Sequence, residues 1–432
     1  MRLLYDTLVL LAYNAAVALA APAAFAVALA RGLTERAYWA HLGERFGWGA
    51  RVDSPSLWLH AVSLGEVSAA AALVRALRTR YPESPFVLST ATPTGRERAR
   101  TLFGEAIDVR FLPYDTRGSV RRFLRRVRPR LAIILETELW PNLLAECRRR
   151  GIPVVFASAR LTAKSASRYR RLGNLVSGAV AANTVVAAQT AEDAERFIGI
   201  GADRARTHVV GNVKFDMPVD ETVISQGREL RRERFGSRPV WIAGSTHAGE
   251  EEQVLSAHAS LQGSVRDALL LLVPRHPQRF ESVADLLTRR QIRFDRRSLA
   301  RAVRPEVEVL LVDSVGELAS LYAAADVAFV GGSLVPVGGH NLLEPAALGV
   351  PVITGPYTDN SREIARSLLQ RGGAVEVEDA EMLAEALRRF FAEPTLRERM
   401  GQRAREFVEA HRGSVAQIVE LIAPLLEVPP RA

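Results

Sequence analysis

At 432 residues, with 48% hydrophobic and 24% charged side chains, the chain exceeds one ordinary core and is expected to form two globular domains. Its single cysteine, Cys147, excludes an intramolecular disulfide and fits a reducing compartment. A net charge of +9 admits nucleic acid, anionic lipid or an acidic substrate; with no basic strip interleaved with aromatic platforms, no nucleic acid is expected.

The chain opens on an apolar stretch, Thr7 to Ala30, broken only by Asn14 and Pro22. As a helix it would measure about 36 Å, enough to span hydrocarbon. Arg2 precedes it and Arg31, Arg36, Arg45 and Arg51 follow, which places the downstream body on the cytoplasmic side. A cleaved signal peptide and a helix lying in the membrane interface are the rival readings.

From Ser56 to about Gly211, apolar runs alternate with amphipathic stretches. Strands are predicted at Leu57–His60, Phe86–Ser89, Ile107–Leu112, Leu131–Leu135, Val154–Ala157 and Val185–Ala188, with helices such as Val67–Thr79, Gly95–Phe103, Gly118–Val127 and Ala191–Ile198 between them. A polar, arginine-rich connection is expected over Val219–Arg238. A second alternation follows: Val240–Ala243, Ala268–Val273, Val307–Val312, Val327–Gly331, Val352–Thr354 and Ala374–Val377, then helices Ala380–Phe391, Thr395–Ala410 and Val415–Leu426. Apolar strands joined by helices form parallel sheets covered on both faces. The expected architecture is α/β, two doubly wound domains facing a cleft, with chemistry at the carboxyl ends of the strands.

Several strand ends carry polar residues. His60-Ala-Val-Ser63-Leu-Gly65-Glu66 places Glu66 in the first turn of a helix, either as a base for an acceptor hydroxyl or as a complement to the helix dipole. Ser89-Thr90-Ala-Thr92-Pro-Thr94-Gly95 reads as a helix cap before it reads as a ligand site. Glu136-Thr137-Glu138-Leu-Trp140-Pro141-Asn142 brings two carboxylates to the mouth of a sheet, with Trp140 read as core or loop filling. Lysine is rare: arginine supplies the other basic residues, and only Lys164 and Lys214 are lysines. Lys214, in Gly211-Asn212-Val-Lys214, would be held charged opposite Glu136.

In the second half, Gly244-Ser245-Thr246-His247 suits a phosphate or sugar, and His247 alone is unspecific. Arg275, in Pro274-Arg275-His276, could neutralise a phosphate. Val315-Gly316-Glu317 could hold a base or ribose. The run Gly331-Gly332-Ser333 to Gly338-Gly339-His340-Asn341-Leu342-Leu343-Glu344-Pro345 reads as a strand, a glycine-rich turn whose amides approach a ligand, and a short helix whose Glu344 could accept from ribose hydroxyls. Neither a dinucleotide fingerprint nor a Walker A loop is present, and no metal-ligand spacing occurs.

In this order these motifs resemble the bacterial 3-deoxy-D-manno-oct-2-ulosonic acid (Kdo) transferases of lipopolysaccharide assembly. The resemblance also takes in Gly43-Glu44-Arg45-Phe46-Gly47 and Ala159-Arg160-Leu161, and covers nearly the whole chain. It implies a GT-B fold of two Rossmann-like domains with an N-terminal membrane-anchor helix. It also implies an inverting transferase with CMP-Kdo as donor and lipid IVA as acceptor, seated at the cytoplasmic face of the inner membrane among its lipids. By resemblance Glu66 matches the catalytic base, and Glu136 and Lys214 match a pair that stabilises the transition state. Pro274, Arg275, Val315, Gly316, Glu317, Asn341, Leu342, Leu343 and Glu344 match the CMP-contacting segments; no metal or cofactor is expected. Lys164 falls outside the matching motifs. The expected division is a membrane anchor over 1–35, an acceptor domain over 36–220, a CMP-sugar domain over 221–414, and a C-terminal helix and tail over 415–432. The alternatives are another GT-B enzyme using a UDP-sugar, such as a lipid disaccharide synthase, and a non-catalytic, membrane-tethered nucleotide-sugar binding protein.

Overall fold

A computed structural model describes residues 2–181, 184–217, 221–299 and 303–427, with side chains from residue 8 onward. The first element is a long helix, α1 (Arg2–Gly32). After two short 3-10 turns the chain lays down β1 (Ser56–His60), β2 (Phe86–Thr90), β3 (Asp108–Phe111), β4 (Pro129–Leu135), β5 (Val154–Ala159), β6 (Thr184–Ala188) and β7 (Thr207–Val209). These pair in parallel in the order β3-β2-β1-β4-β5-β6-β7. Side chains alternate between two covered faces: Leu57 and Leu59 enter one cluster and Trp58 the other, so the strands are apolar on both sides. The order reverses between β1 and β4, which brings the loops after those two strands side by side.

The second sheet holds β8 (Val240–Thr246), β9 (Leu269–Pro274), β10 (Phe294–Arg296), β11 (Val309–Leu311), β12 (Val327–Val330), β13 (Val352–Thr354) and β14 (Ala374–Glu376), in the order β10-β11-β9-β8-β12-β13-β14 and again parallel. Its reversal adjoins β8, so the turn after β8 lies beside the glycine-rich turn after β12. The edge strands β7 and β10 escaped the sequence reading. Each has three residues that remain partly exposed, too short and too polar for an apolar run to mark them.

Two expectations change. The stretch Val219–Arg238, expected as a polar connection, carries regular structure. Its first two residues lie outside the described ones, and the rest forms a helix, Glu221–Leu230, with a π-turn over Arg231–Phe235. Gly227 lets that helix approach closely: a Cβ there would stand 2.5 Å from the Ala323 Cβ. Nor does the last helix stand apart. The described residues up to Met217 and those from His411 onward form one compact unit, and the residues between form the other. The helix Ser414–Glu427 inserts Ile418, Ile422 and Leu426 into the core around Leu57, Leu131 and Val213. Asp216 receives it, accepting from the Gly413 and Val415 amides at 2.6 Å each.

Ile422 is fully buried in that cluster. Ile422→Ala should lower the stability of the first unit by about 2–5 kcal/mol. Hydrogen exchange should then speed up in β1 and β4 and stay unchanged in β8 and β9. Unchanged protection throughout would show that the helix is not part of this core.

Candidate functional site

In the first unit the helix α2 (Leu64–Arg80) begins directly after β1, with Ser63 as its N-cap. Glu66 faces back across that terminus. The Val62 amide donates to its Oε2 at 2.8 Å, and the Ser63 hydroxyl lies 3.4 Å from Oε1. Glu66 therefore helps close the helix start, as the dipole reading anticipated, while its carboxyl remains a titrating group. Burial pushes that carboxyl up to about 7; Glu136 and Glu138 push the same way, and the Val62 hydrogen bond and Lys214 oppose them.

Glu136 directly follows β4 with φ +55, a left-handed conformation unusual for a residue with a Cβ. Its Oε1 accepts from Lys214 Nζ at 3.1 Å. Lys214 sits on a 3-10 turn, Val213–Asp216, started by Asn212, whose side chain accepts from the Lys214 amide at 2.9 Å. The expected Glu136–Lys214 pair is thus made across 78 residues of sequence, and Glu66 lies within reach of its field. Lys164, by contrast, is exposed. Glu138, the second carboxylate expected at the mouth of this sheet but given no role of its own, is also perturbed: burial pushes it up to about 7, with a Trp140 hydrogen bond opposing. Its place two residues after Glu136 was the available signal. Trp140 is 37% exposed, so it is a loop residue and not core. The hydroxyl-rich turn after β2 is structural, with Thr92 accepting from the Gly95 amide at 3.1 Å and Thr90 donating to the Val62 carbonyl.

The helix α1 is tied to these loops. Tyr13 donates to Asp115 Oδ2 at 2.6 Å, and the same carboxylate accepts from the amides of Asn142 and Leu143 at 2.9 Å. Asn142 Nδ2 donates in turn to the Asp115 carbonyl and to Asn14 Oδ1. Asp115 is 3% exposed, and burial pushes its carboxyl up to about 6 against those three hydrogen bonds. One buried carboxylate thereby joins α1 to the end of the Glu136–Asn142 loop. Leu10, Asn14, Val17, Ala21, Phe25, Ala28 and Gly32 form one partly or fully buried helical stripe toward the body. Phe25 meets Phe46 edge-on at 5.1 Å, while Leu8, Leu11, Leu19 and Val27 point outward.

In the second unit the structure corrects the reading of the glycine-rich turn. The amides of Gly332, Ser333 and Leu334 do not wait for a ligand: all three donate to the carboxylate of Glu250, at 2.7, 3.1 and 2.9 Å. Glu250 is fully buried and also accepts from the His247 amide at 3.1 Å. Burial raises its pKa, with the four amides opposing. An internal anion occupies the nest and locks the turn after β8 to the turn after β12. Gly331 allows this approach, since a Cβ there would lie 2.8 Å from Glu250 Oε2.

The other expected donor residues are dispersed along the strand ends. Arg275 follows Pro274 at the end of β9, and its amide donates to the Thr246 carbonyl at 3.0 Å. Val315 is 78% exposed and Gly316 has φ +94 with open space around it, which leaves that backbone accessible. Glu317 is buried enough to raise its pKa, but Ser314 and Arg297 hydrogen bonds hold it below the ordinary range; Arg297 stands at 2.7 Å. Asn341 accepts from the Leu343 amide and donates to Glu344, while Leu342 and Leu343 are buried. Among the described residues, no group of three or more His, Cys, Asp or Glu is arranged to hold a metal ion.

Known proteins resemble the chain over most of this frame. The family model described as 3-deoxy-D-manno-octulosonic-acid transferase (kdotransferase) matches residues 40–217, and that of glycosyl transferases group 1 matches 287–407. The chain is 40% identical over 394 residues to the 3-deoxy-D-manno-octulosonic acid transferase of Haemophilus influenzae, covering 90% of this chain and 92% of that one. The Bordetella pertussis enzyme of the same name is 40% identical over 391 residues, 88% and 90% of the two chains. Among solved structures, UDP-N-acetylglucosamine 2-epimerase of Neisseria meningitidis superposes with a TM-score of 0.55 at 14% identity, over 86% of this chain and 100% of that one. Acinetobacter baumannii MurG gives 0.53 at 16% identity, again over 86% and 100%. These two likenesses speak to the fold, which is GT-B.

Tyr13→Phe removes one donor from Asp115 and should loosen α1 alone, by about 0.5–1.5 kcal/mol. Asp115→Ala strips the acceptor from two buried amides as well and should loosen both α1 and the 136–142 loop. Hydrogen exchange resolved by segment separates the two patterns. Equal behaviour of the variants would refute the shared carboxylate.

Proposed function

This chain belongs to the 3-deoxy-D-manno-octulosonic-acid transferase family, glycosyltransferases of lipopolysaccharide biosynthesis, and we propose that it moves Kdo from CMP-Kdo to lipid IVA with inversion, Glu66 acting as general base. The observation that carries this reading is the state of Glu66. A carboxyl pushed up to about 7, at the end of the strand where the sheet order reverses, is matched to taking a proton near neutral pH.

In this reading the acceptor hydroxyl attacks the anomeric carbon of Kdo as the bond from that carbon to the CMP phosphate breaks. The hydroxyl proton passes to Glu66, and the bond electrons leave with the phosphate. Lys214, held by Glu136, offsets the anionic charge of the donor sugar. Arg275 meets the phosphate; Pro274, the exposed Val315–Gly316 backbone, Glu317 and the segment Asn341–Glu344 hold the nucleoside. The cations present supply the charge that leaving-group departure needs, so we assign no resident metal to the step.

The membrane enters through α1, which we place in the cytoplasmic interface of the inner membrane. The supporting geometry is the stripe from Leu10 to Gly32, about 33 Å of helix held along the body. A helix tied to the body through Tyr13, Phe25 and the buried Ala21, Ala28 and Gly32 presents its outer leucines to lipid, with exposed Arg31 in its last turn for anionic headgroups. The helix is also long and apolar enough to cross a membrane, and the docking stripe is what favours the interface.

Glu66→Gln keeps an acceptor for the Val62 amide and removes the base. Transfer to lipid IVA, followed by mass spectrometry, should fall about 10²–10⁴-fold with little change in Tm. The wild-type rate should climb about tenfold per pH unit up to about 7 and then level, because only the deprotonated carboxylate accepts a proton. A folded Glu66→Gln enzyme at near wild-type rate would remove Glu66 from this role. For the membrane, Leu11→Glu with Leu19→Glu should abolish binding to anionic phospholipid vesicles and leave CMP affinity unchanged; retained vesicle binding would overturn the interfacial seat.

A further inference from the structure

Three imidazoles lie where the turns after β8, β9 and β12 meet. His247 Nε2 and His340 Nε2 are 2.8 Å apart, with rings nearly parallel at 5.0 Å between centroids. His276 stands edge-on to His247 at 5.3 Å. The space for them is made by Gly332, where a Cβ would come within 3.1 Å of the His340 ring. Arg275 lies beside them, and among the described residues its guanidinium makes no hydrogen bond or ion pair. We propose that His247, His276, His340 and Arg275 form a proton-accepting anion subsite, in which the His247–His340 contact opens when an anionic oxygen of the donor arrives. The proposal rests on the reading of this unit as the nucleotide-sugar domain.

The 2.8 Å contact constrains the protons of the pair. Two nitrogens at that distance need one N–H and one bare lone pair, so the contact holds a single proton. The bare lone pair repels an anion. A proton taken from solvent forms an N–H bond at that nitrogen, breaks the ring-to-ring hydrogen bond, and leaves two donors free. The surroundings of the cluster resist that proton. Burial, then the neighbouring rings, Arg275 and Arg279, hold the imidazoles below their ordinary range, with His340 brought down to about 4. The nearby carboxylates do not offset these cations. Glu250 is spent on four backbone amides, and Glu251 is paired with Arg279 at 2.9 Å. An incoming oxyanion supplies the missing negative charge. The same commitment of Glu250 explains why side chains must do this work, because the glycine-turn amides it fills are closed to a ligand.

The oxyanion could be the nucleotide phosphate or the sugar carboxylate, and the ligands used separate them. The 432-residue chain has eight histidines, few enough to assign from ring-labelled ¹⁵N spectra with single His→Gln variants. Saturating CMP should remove the bare Nε2 signal of the His247–His340 pair, and cytidine should not. His340→Gln should weaken CMP about tenfold or more, with cytidine binding and Tm unchanged; His276→Gln is the second variant if His340→Gln fails to fold. A change seen with freshly made CMP-Kdo but not with CMP supports the subsite and identifies the carboxylate as its ligand. If both ligands bind by calorimetry and the pair keeps its signal, the subsite is overturned while the donor reading stands. If neither binds, both fall.

Discussion

Amides that leave a parallel ladder at the end of a strand must still find acceptors, and this chain meets that constraint with carboxylates. Glu250 takes four amides and Asp115 takes two, while Glu44 accepts from Phe111, Asp193 from Leu161 and Asp326 from Val240. Each joins a loop to a partner distant in sequence. These internal anions help to hold strand-end loops in both units.

That solution sorts the polar residues by task. Carboxylates ringed by amides have no capacity left for a substrate, and their turns are closed to other anions. Among the described site residues, Glu66 has one firm backbone donor, Lys214 is partly exposed beside Glu136, and Arg275 lies near its imidazoles, so each keeps capacity for a substrate. Left-handed backbone at Glu136 and Ser245 accompanies this sorting, and both sit at the ends of strands next to a sheet reversal.

The N-terminal helix is part of the same economy of acceptors. Because Asp115 accepts from Tyr13 as well as from Asn142 and Leu143, the apolar helix and the loop behind Glu136 and Glu138 share one anchor. A disturbance of the helix thus has a short physical route to the loop through a single buried group.

Much of this was legible in the residue order. Continuous apolar runs at helix-length intervals determined two buried parallel sheets, since a strand covered on both faces cannot alternate. The edge strands Thr207–Val209 and Phe294–Arg296 and the helix Glu221–Leu230 were not legible, because partly exposed or arginine-rich segments carry little periodic signal. Motif order marked Glu66, Glu136, Lys214 and Arg275 as residues at strand ends. The Glu136–Lys214 pairing was expected from them, while its geometry and the meeting of the imidazoles were decided by the tertiary structure. The Lys214–Glu136 contact spans 78 residues, and the three imidazoles come from three separate strand ends. The glycine-rich run makes the same point. Its sequence determined a turn open to close approach, and only the fold decided that Glu250, 82 residues away from Gly332, would be what approaches. Local sequence encodes conformational freedom, whereas the occupant of a nest is chosen by whichever charge the folded chain brings to it.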